Sequence, residues 1–376
     1  MENVIKPNFH YECDYFVHFF NITSEQSGRS GKGGAIDPSE VMLLRDAIHE
    51  LYAATTTKRF PKVKFASDTD EDFYRARNAS ISKIENYPVS GNTINTNATT
   101  TRSNPYYPTK NAASFDATST LNILKMWHTQ TRVFELMESE VSSSGTSTGS
   151  SSMGKEDHHY STQQYTRVAM LRLDVVYMTP IDIYKVPNDP TPNTYGVRST
   201  EKGSFWKNGL AGPIQRSDYY FYDLRNNHAV IPGFASFPIN DRLIMGPYDA
   251  VKIWACDRWK WMEYYVETVL KKRKNLAKFG LHDERFIANV VVPKIRKLTS
   301  VRVMVDRNMY FFRVRADGSI WILDCPFQDA RFKEPKKLEL LLGRSCLPVQ
   351  KSSNPVAPFY VKCPVVVENA TMDATA

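Results

Sequence analysis

Apolar and polar positions alternate in short blocks from the start of the chain. CDYFVHFF, residues 13–20, is a run of aromatic and β-branched residues with the length of a buried strand. The glycine-rich stretch SGRSGKGGAIDP follows and ends in Asp37 and Pro38, an N-cap and a first-turn proline that open a helix over VMLLRDAIHELYAA. PKVKFAS predicts a second strand and DEDFYRARNASISKI a short helix. This alternation of strands and helices predicts an α/β fold.

Residues 88–116 are dominated by Asn, Thr, Ser and Pro and read as a surface insertion. The spacing of Leu121, Leu124, Trp127, Phe134 and Met137 approximates one helix face, ending in a Ser- and Gly-rich run that predicts a flexible loop over 139–160. RVAMLRLDVVYM is apolar apart from Arg172 and Asp174, as expected of a central strand covered on both faces. Residues 186–233 predict a long ordered loop, RLIMG a short strand, and Tyr248 to about Lys274 a long amphipathic helix with basic residues at its end. LHDERFIANVVV predicts a further helix. KLTSVRVMVDRNMYFFRVRADGSIWIL predicts β-hairpins turning at RNMY and ADGS. Residues 1–350 thus read as one domain and 351–376 as a C-terminal tail.

Composition narrows the function classes. A chain of 376 residues with 42% hydrophobic and 12% aromatic residues can bury a large core, which excludes disorder throughout. A formal charge of +8 favours polyanions, phosphorylated ligands or anionic surfaces without specifying a fold. The five cysteines, Cys13, Cys256, Cys325, Cys346 and Cys363, form no CxxC pair, so no zinc or redox motif follows. No signal peptide and no run of about 18 apolar residues is visible, so the chain reads as soluble with no membrane span. The KKRK run at 271–274 reads as a solvated helix end, and nucleic acid is not an expected partner.

The sharpest chemical signal is Asp174. A carboxylate at the carboxyl end of a strand in an open α/β sheet lies in the crevice where such sheets bind ligands. Asp182 follows after the turn at Thr179 and Pro180, so the pair Asp174 and Asp182 would suit Mg²⁺ or Mn²⁺ carrying a diphosphate. The competing reading is an Asp174 ion-paired to Arg172 or capping the next turn. Asn240, Asp241 and Arg242 after the turn-prone FPI would bind sugar hydroxyls or phosphate, or form an ordinary turn. Asp283 and Glu284 begin a helix, where they serve either as acid–base groups or as helix-start charges. His18, His128, His228 and His282 are scattered and receive no role. Serine hydrolase, zincin and kinase readings lack their required residues.

Taken in order, CDYFVHFF, SGRSGKGGAIDP, NILKMWHTQTRVFELME, YTRVAMLRLDVVYMTPIDIY, NDRLIMGPYDAVKIW, HDERFIANVVV and YFFRVRADG resemble a family of glycosyltransferase-like proteins found in algae, plants and related viruses. The resemblance implies a GT-A-like, Rossmann-type nucleotide-sugar fold with a central, mostly parallel sheet. The R-x-D of Arg172 and Asp174 stands where better known enzymes of that fold carry D-x-D. It implies transfer of a sugar from a nucleotide-sugar donor to a glycan, protein or lipid hydroxyl, with Asp283 or Glu284 as base, and a Golgi lumen location if an upstream anchor exists. Relatives of this kind carry one more strand ahead of ENVIKPN, so the first strand of the sheet is expected to be missing here. A noncatalytic glycan- or polyanion-binding protein on the same scaffold is the competing expectation, and a cation-independent transferase such as a sulfotransferase the third.

Overall fold

The computed structural model of the protein describes residues 3–21, 38–54, 59–87, 104–108, 117–144, 165–184, 227–232, 239–306, 309, 311–314, 319–321, 350–351 and 359–362. Tyr15–Phe20 (β1) pairs in parallel with Val63–Asp68 (β2), in register from Tyr15 opposite Val63 to Phe20 opposite Asp68. Two parallel strands need a crossover, and the predicted helix supplies it as Pro38–Ala53 (α1). The second predicted helix runs from Asp70 to Glu85 (α2), opened by a capping box. There the Asp72 amide donates to Thr69 Oγ1 at 3.1 Å and the Thr69 amide donates to Asp72 Oδ2 at 2.9 Å.

The third helix, Ala117–Ser144 (α3), has 28 residues, about 42 Å at 1.5 Å per residue. It extends into the Ser-rich run that had predicted a loop from 139. Its apolar face carries Leu124, Trp127, Phe134 and Met137 into the core, as the spacing predicts. The remainder of the 139–160 stretch lies outside the described residues, as does most of 88–116. Within the latter, Asn104–Pro108 is packed inward: Tyr106 is fully buried and its carbonyl accepts from the Leu281 amide at 2.9 Å. Gly280, with φ of +57°, lies so close to Tyr106 and Tyr107 that a Cβ there would fall 2.6 Å from backbone.

The run RVAMLRLDVVYM, expected as one strand, is two. Arg167–Leu171 (β3) and Val175–Tyr177 (β4) belong to different sheets, and Arg172 to Asp174 turn the chain between them. His228–Pro232 (β5) is a buried strand at the end of the segment expected to be a loop. Leu243–Pro247 (β6) is antiparallel to both β3 and β5. Arg302–Asp306 (β7) runs parallel to β5, and Phe311–Arg313 (β8) pairs antiparallel with β4. The predicted hairpin from β7 to β8 therefore does not form: each strand takes a partner distant in sequence. Ser319–Trp321 (β9), Gln350–Lys351 (β10) and Phe359–Lys362 (β11) make a small antiparallel sheet, which brings part of the expected tail into regular structure. The fold is mixed α/β, with β3, β6, β5 and β7 forming a small mixed sheet.

The predicted long amphipathic helix is broken at Asp257 into Tyr248–Cys256 (α4) and Arg258–Tyr264 (α5), then widens into a π-helical turn over Tyr265–Leu270. After Lys274–Ala277 (α6), Asp283–Phe286 (α7), a second π-helical segment at Ile287–Val291, and Val292–Thr299 (α8) form one continuous path. The main core joins Trp127, Phe134, Trp254, Tyr265 and Phe286 beneath α3 and α4. Among the described residues no helix is long and apolar enough to cross a membrane.

Candidate functional site

Three motifs distant in sequence converge beyond the carboxyl end of β3. Arg172 leaves the strand and reaches back to Asp174 in a two-pronged pairing, Nε to Oδ1 at 2.8 Å and Nη2 to Oδ2 at 2.5 Å. Its Nη1 donates to Asp241 Oδ2 at 3.2 Å, and Asp241 Oδ1 accepts from Arg242. The guanidinium thus lies between two carboxylates, one from the β3–β4 turn and one from the approach to β6. Burial pulls the Arg172 guanidinium down, but Asp174 and Asp241 outweigh it and hold the group above its ordinary value. Asn240 is fully buried and shapes this approach, its Oδ1 accepting from the Arg242 amide at 2.9 Å.

The Asp283–Glu284 pair closes the cluster from the other side. Asp283 accepts from Trp127 Nε1 at 2.7 Å and from Arg258 Nη1 at 2.9 and 3.1 Å. Burial raises the Asp283 carboxyl to about 6; Arg258 pulls the other way, and the charges of Asp241 and Glu284 add to the rise. Glu284 goes the opposite way. Burial pushes it up, but His282, whose Nδ1 lies 3.1 Å from Glu284 Oε2, and Arg242 outweigh that and hold it well below the usual carboxylate range. Two adjacent carboxyls are therefore driven apart in acidity, a pattern typical of sites that divide proton-transfer roles.

Arg172, Asp174, Asn240, Asp241, Arg242, Asp283 and Glu284, all singled out from sequence, thus share one region. Asp182 has other partners: its Oδ1 accepts from Tyr11 Oη at 3.2 Å and from the Tyr184 amide at 2.9 Å. Arg258 and Trp127 were missed. Both look like members of an aromatic helix face, yet Arg258 is fully buried and stacks on Trp254, 4.5 Å from the ring centroid. The glycine-rich SGRSGKGG segment and the KKRK lysine at 274 lie outside the residues whose side chains are described.

A second polar cluster sits at the carboxyl ends of β1 and β2. Asp68 Oδ2 lies 3.1 Å from His18 Nε2 and 2.7 Å from His128 Nε2, and accepts from Arg132 Nε at 3.2 Å. Arg77 Nε donates to His128 Nδ1 at 3.1 Å, so the proton of neutral His128 sits on Nε2, facing Asp68. Burial lowers both histidines, against the pull of Asp68. For Asp68, burial acts upward, but His128, His18 and Arg132 together hold it below the usual range.

The sign of the pH effect follows. Groups whose native values are lowered contribute stability that is present above their unfolded values, about 6.5 for His and 3.9 for Asp, and lost as pH falls through the native ones. The apparent melting temperature is therefore expected to fall as pH drops from 7 to 5. Differential scanning calorimetry on the protein and on His18→Asn checks this; the variant should show a shallower fall.

No protein-family model, curated protein or solved structure matches this chain.

Proposed function

We propose that the chain is a glycosyltransferase, transferring a sugar from a nucleotide-sugar donor to an acceptor hydroxyl at the cluster beyond β3. The observation that supports this reading is the guanidinium of Arg172 held between Asp174 and Asp241, next to a pair of carboxyls of opposed acidity. Asp174, with a side chain 38% exposed, is the member of the cluster open to a ligand. Arg172, 26% exposed, would face the diphosphate of the donor, where a planar, permanently charged fork offsets negative charge developing on the leaving group. Asn240 and Asp241 would shape the acceptor side. Glu284, ionised at neutral pH, would accept the proton of the acceptor hydroxyl or hold that hydroxyl in place. Asp283 acts through position, since Trp127 and Arg258 occupy both its oxygens.

Mn²⁺ or Mg²⁺ fits these residues poorly. The space between Asp174 and Asp241 is taken by Arg172, Asp182 faces Tyr11, and among the described residues no group of three His, Cys, Asp or Glu is arranged to hold a metal. The proposed chemistry needs only the chain's own cations. A second reading, a glycan- or polyanion-binding protein without transfer, is favoured by the same pairing, because Arg172 is already engaged by Asp174 and Asp241 and would have to leave them to meet a donor diphosphate.

Thermal shift with UDP, GDP and their sugars, with and without Mn²⁺, tests the choice, since a ligand that binds only the native state raises its apparent stability. The expected result is stabilisation by one nucleotide, independent of Mn²⁺ and lost in Asp174→Asn. Stabilisation by an acidic glycan and by no nucleotide would establish the second reading instead.

A further inference from the structure

From Arg258 to Arg302 the chain carries twelve Lys and Arg against four Asp and Glu, an excess of eight that equals the +8 of the whole chain. The four acids are all engaged. Glu263 Oε2 accepts from Lys83 at 2.7 Å, Glu267 pairs with Lys271 and accepts from Tyr87, Asp283 is held by Arg258, and Glu284 lies beside His282. Among the described residues no carboxylate forms an ion pair with Lys260, Lys294 or Lys297.

These three lysines share one surface. Lys260 Nζ of α5 lies 6.0 Å from the centroid of the Trp261 ring, and Lys294 Nζ of α8 lies 5.4 Å from the same ring and 5.6 Å from that of Tyr264. Lys297 and Leu298 follow Lys294 by three and four residues, which places them on its face of α8, away from the buried Val292 and Ile295. A ring face attracts an ammonium group, but two beside one ring repel each other. Of the three lysines only Lys297 sits in a last helical turn, where the macrodipole favours a cation. Local structure therefore does not account for the cluster.

Apolar groups stand among the charges. Tyr264 is 47% exposed and Leu298 57% exposed, beside the exposed Lys260 and Lys297. An aliphatic side chain adds nothing to the binding of a soluble phosphate or sulfate chain. It does enter the acyl boundary of a lipid surface, where tyrosine rings and lysine stems also settle with their polar ends outward.

We propose that the face formed by Lys260, Tyr264, Lys294, Lys297 and Leu298 docks on an anionic lipid surface, the lysines at the charged headgroups and Leu298 with the Tyr264 ring in the acyl boundary beneath them. Such attraction acts within a Debye length of the headgroups and weakens with salt. None of these side chains belongs to the cluster beyond β3, so the docking does not depend on the transfer chemistry.

Co-sedimentation of the full chain with vesicles tests it, using phosphatidylcholine alone and phosphatidylcholine with about 30 mol% phosphatidylserine. The chain should bind the second and not the first, with an affinity that falls as salt rises. A basic side chain near such a surface contributes about fivefold in affinity, so Lys260→Glu/Lys297→Glu should weaken binding by about 25-fold or more. Arg45→Glu/Lys64→Glu makes the same change in net charge on α1 and β2 and should weaken it far less. Leu298→Ser keeps every charge and should weaken binding roughly tenfold with the salt dependence unchanged. Melting curves matching the parent's show that each variant is folded. Equal losses in the two charge-reversed variants would overturn the proposal in favour of a diffuse effect of net charge. Full vesicle binding by Leu298→Ser would overturn it in favour of a surface that recognises charge alone, as for a soluble acidic polymer, and no binding of the parent to phosphatidylserine vesicles would also overturn it.

Discussion

Replacing Arg258 by methionine should cost about 3–5 kcal/mol of folding stability, the usual cost of removing one partner from a buried ion pair. Arg258 and Asp283 are both fully buried, and their pairing lies inside the main core rather than on its rim. Without the guanidinium, Trp127 Nε1 is the one donor still seen on Asp283, too little to offset a buried negative charge. Urea denaturation at pH 7 measures the loss. The pH dependence has a definite sign. Asp283 is raised in the native state, so the stability tied to its protonated form is present below its unfolded value, about 3.9, and lost as pH rises through the native one. Arg258→Met raises that native value further, and its deficit should grow between pH 5 and 7. The double variant Arg258→Met/Asp283→Leu removes both charges and should recover most of the loss. If the double variant is no more stable than the single one, the pair contributes through shape rather than charge.

Glu284→Gln should lower the transfer rate by about 100- to 10,000-fold, the range general-base groups supply. The side chain keeps its shape but loses the negative charge held beside His282 and Arg242. Steady-state kinetics with the donor identified by thermal shift measure it. The loss should fall on kcat, with donor KM little changed, because in the proposed reading Glu284 acts on the acceptor hydroxyl and has no contact with the Arg172–Asp174 fork. Glu284 is ionised from mildly acidic pH upward, so it should add no limb to the rate profile between pH 5 and 8. An unchanged kcat would remove Glu284 from the chemistry, whereas absence of turnover in the parent protein would favour the binding-protein reading.

Part of the site was legible because its residues break a local pattern. Arg172 and Asp174 stand out as charges that interrupt an apolar run, whereas Asp241 and Arg242 sit in a turn before a strand and Asp283 opens a helix, places where charge is ordinary. Their convergence was less legible, since it depends on β6 returning antiparallel beside β3. The elements predicted best were those fixed by local chemistry: the proline opening α1 and the apolar face of α3. The missed strand pairing has a physical cause. β7 and β8 look like a hairpin because they are adjacent in sequence, yet they find partners in β5 and β4, and no local pattern encodes a choice among distant edges. Arg258 was missed for a related reason. An arginine among tryptophans on a helix resembles a solvated position until the opposing carboxylate, 25 residues away, is in place.

Trp127 and His128 are successive residues of α3, and they point to different places: Trp127 to Asp283 in the cluster beyond β3, His128 to Asp68 at the ends of β1 and β2. A rigid helix turn thus connects the two clusters. Any coupling between the clusters that runs through this turn is equal in both directions by thermodynamic reciprocity. A ligand at Asp283 that altered the affinity of His128 for protons would have its own affinity altered by protonation of His128 by the same factor. The peptide bond between residues 127 and 128 is thus the shortest covalent link between the cluster beyond β3 and the cluster at the carboxyl ends of β1 and β2.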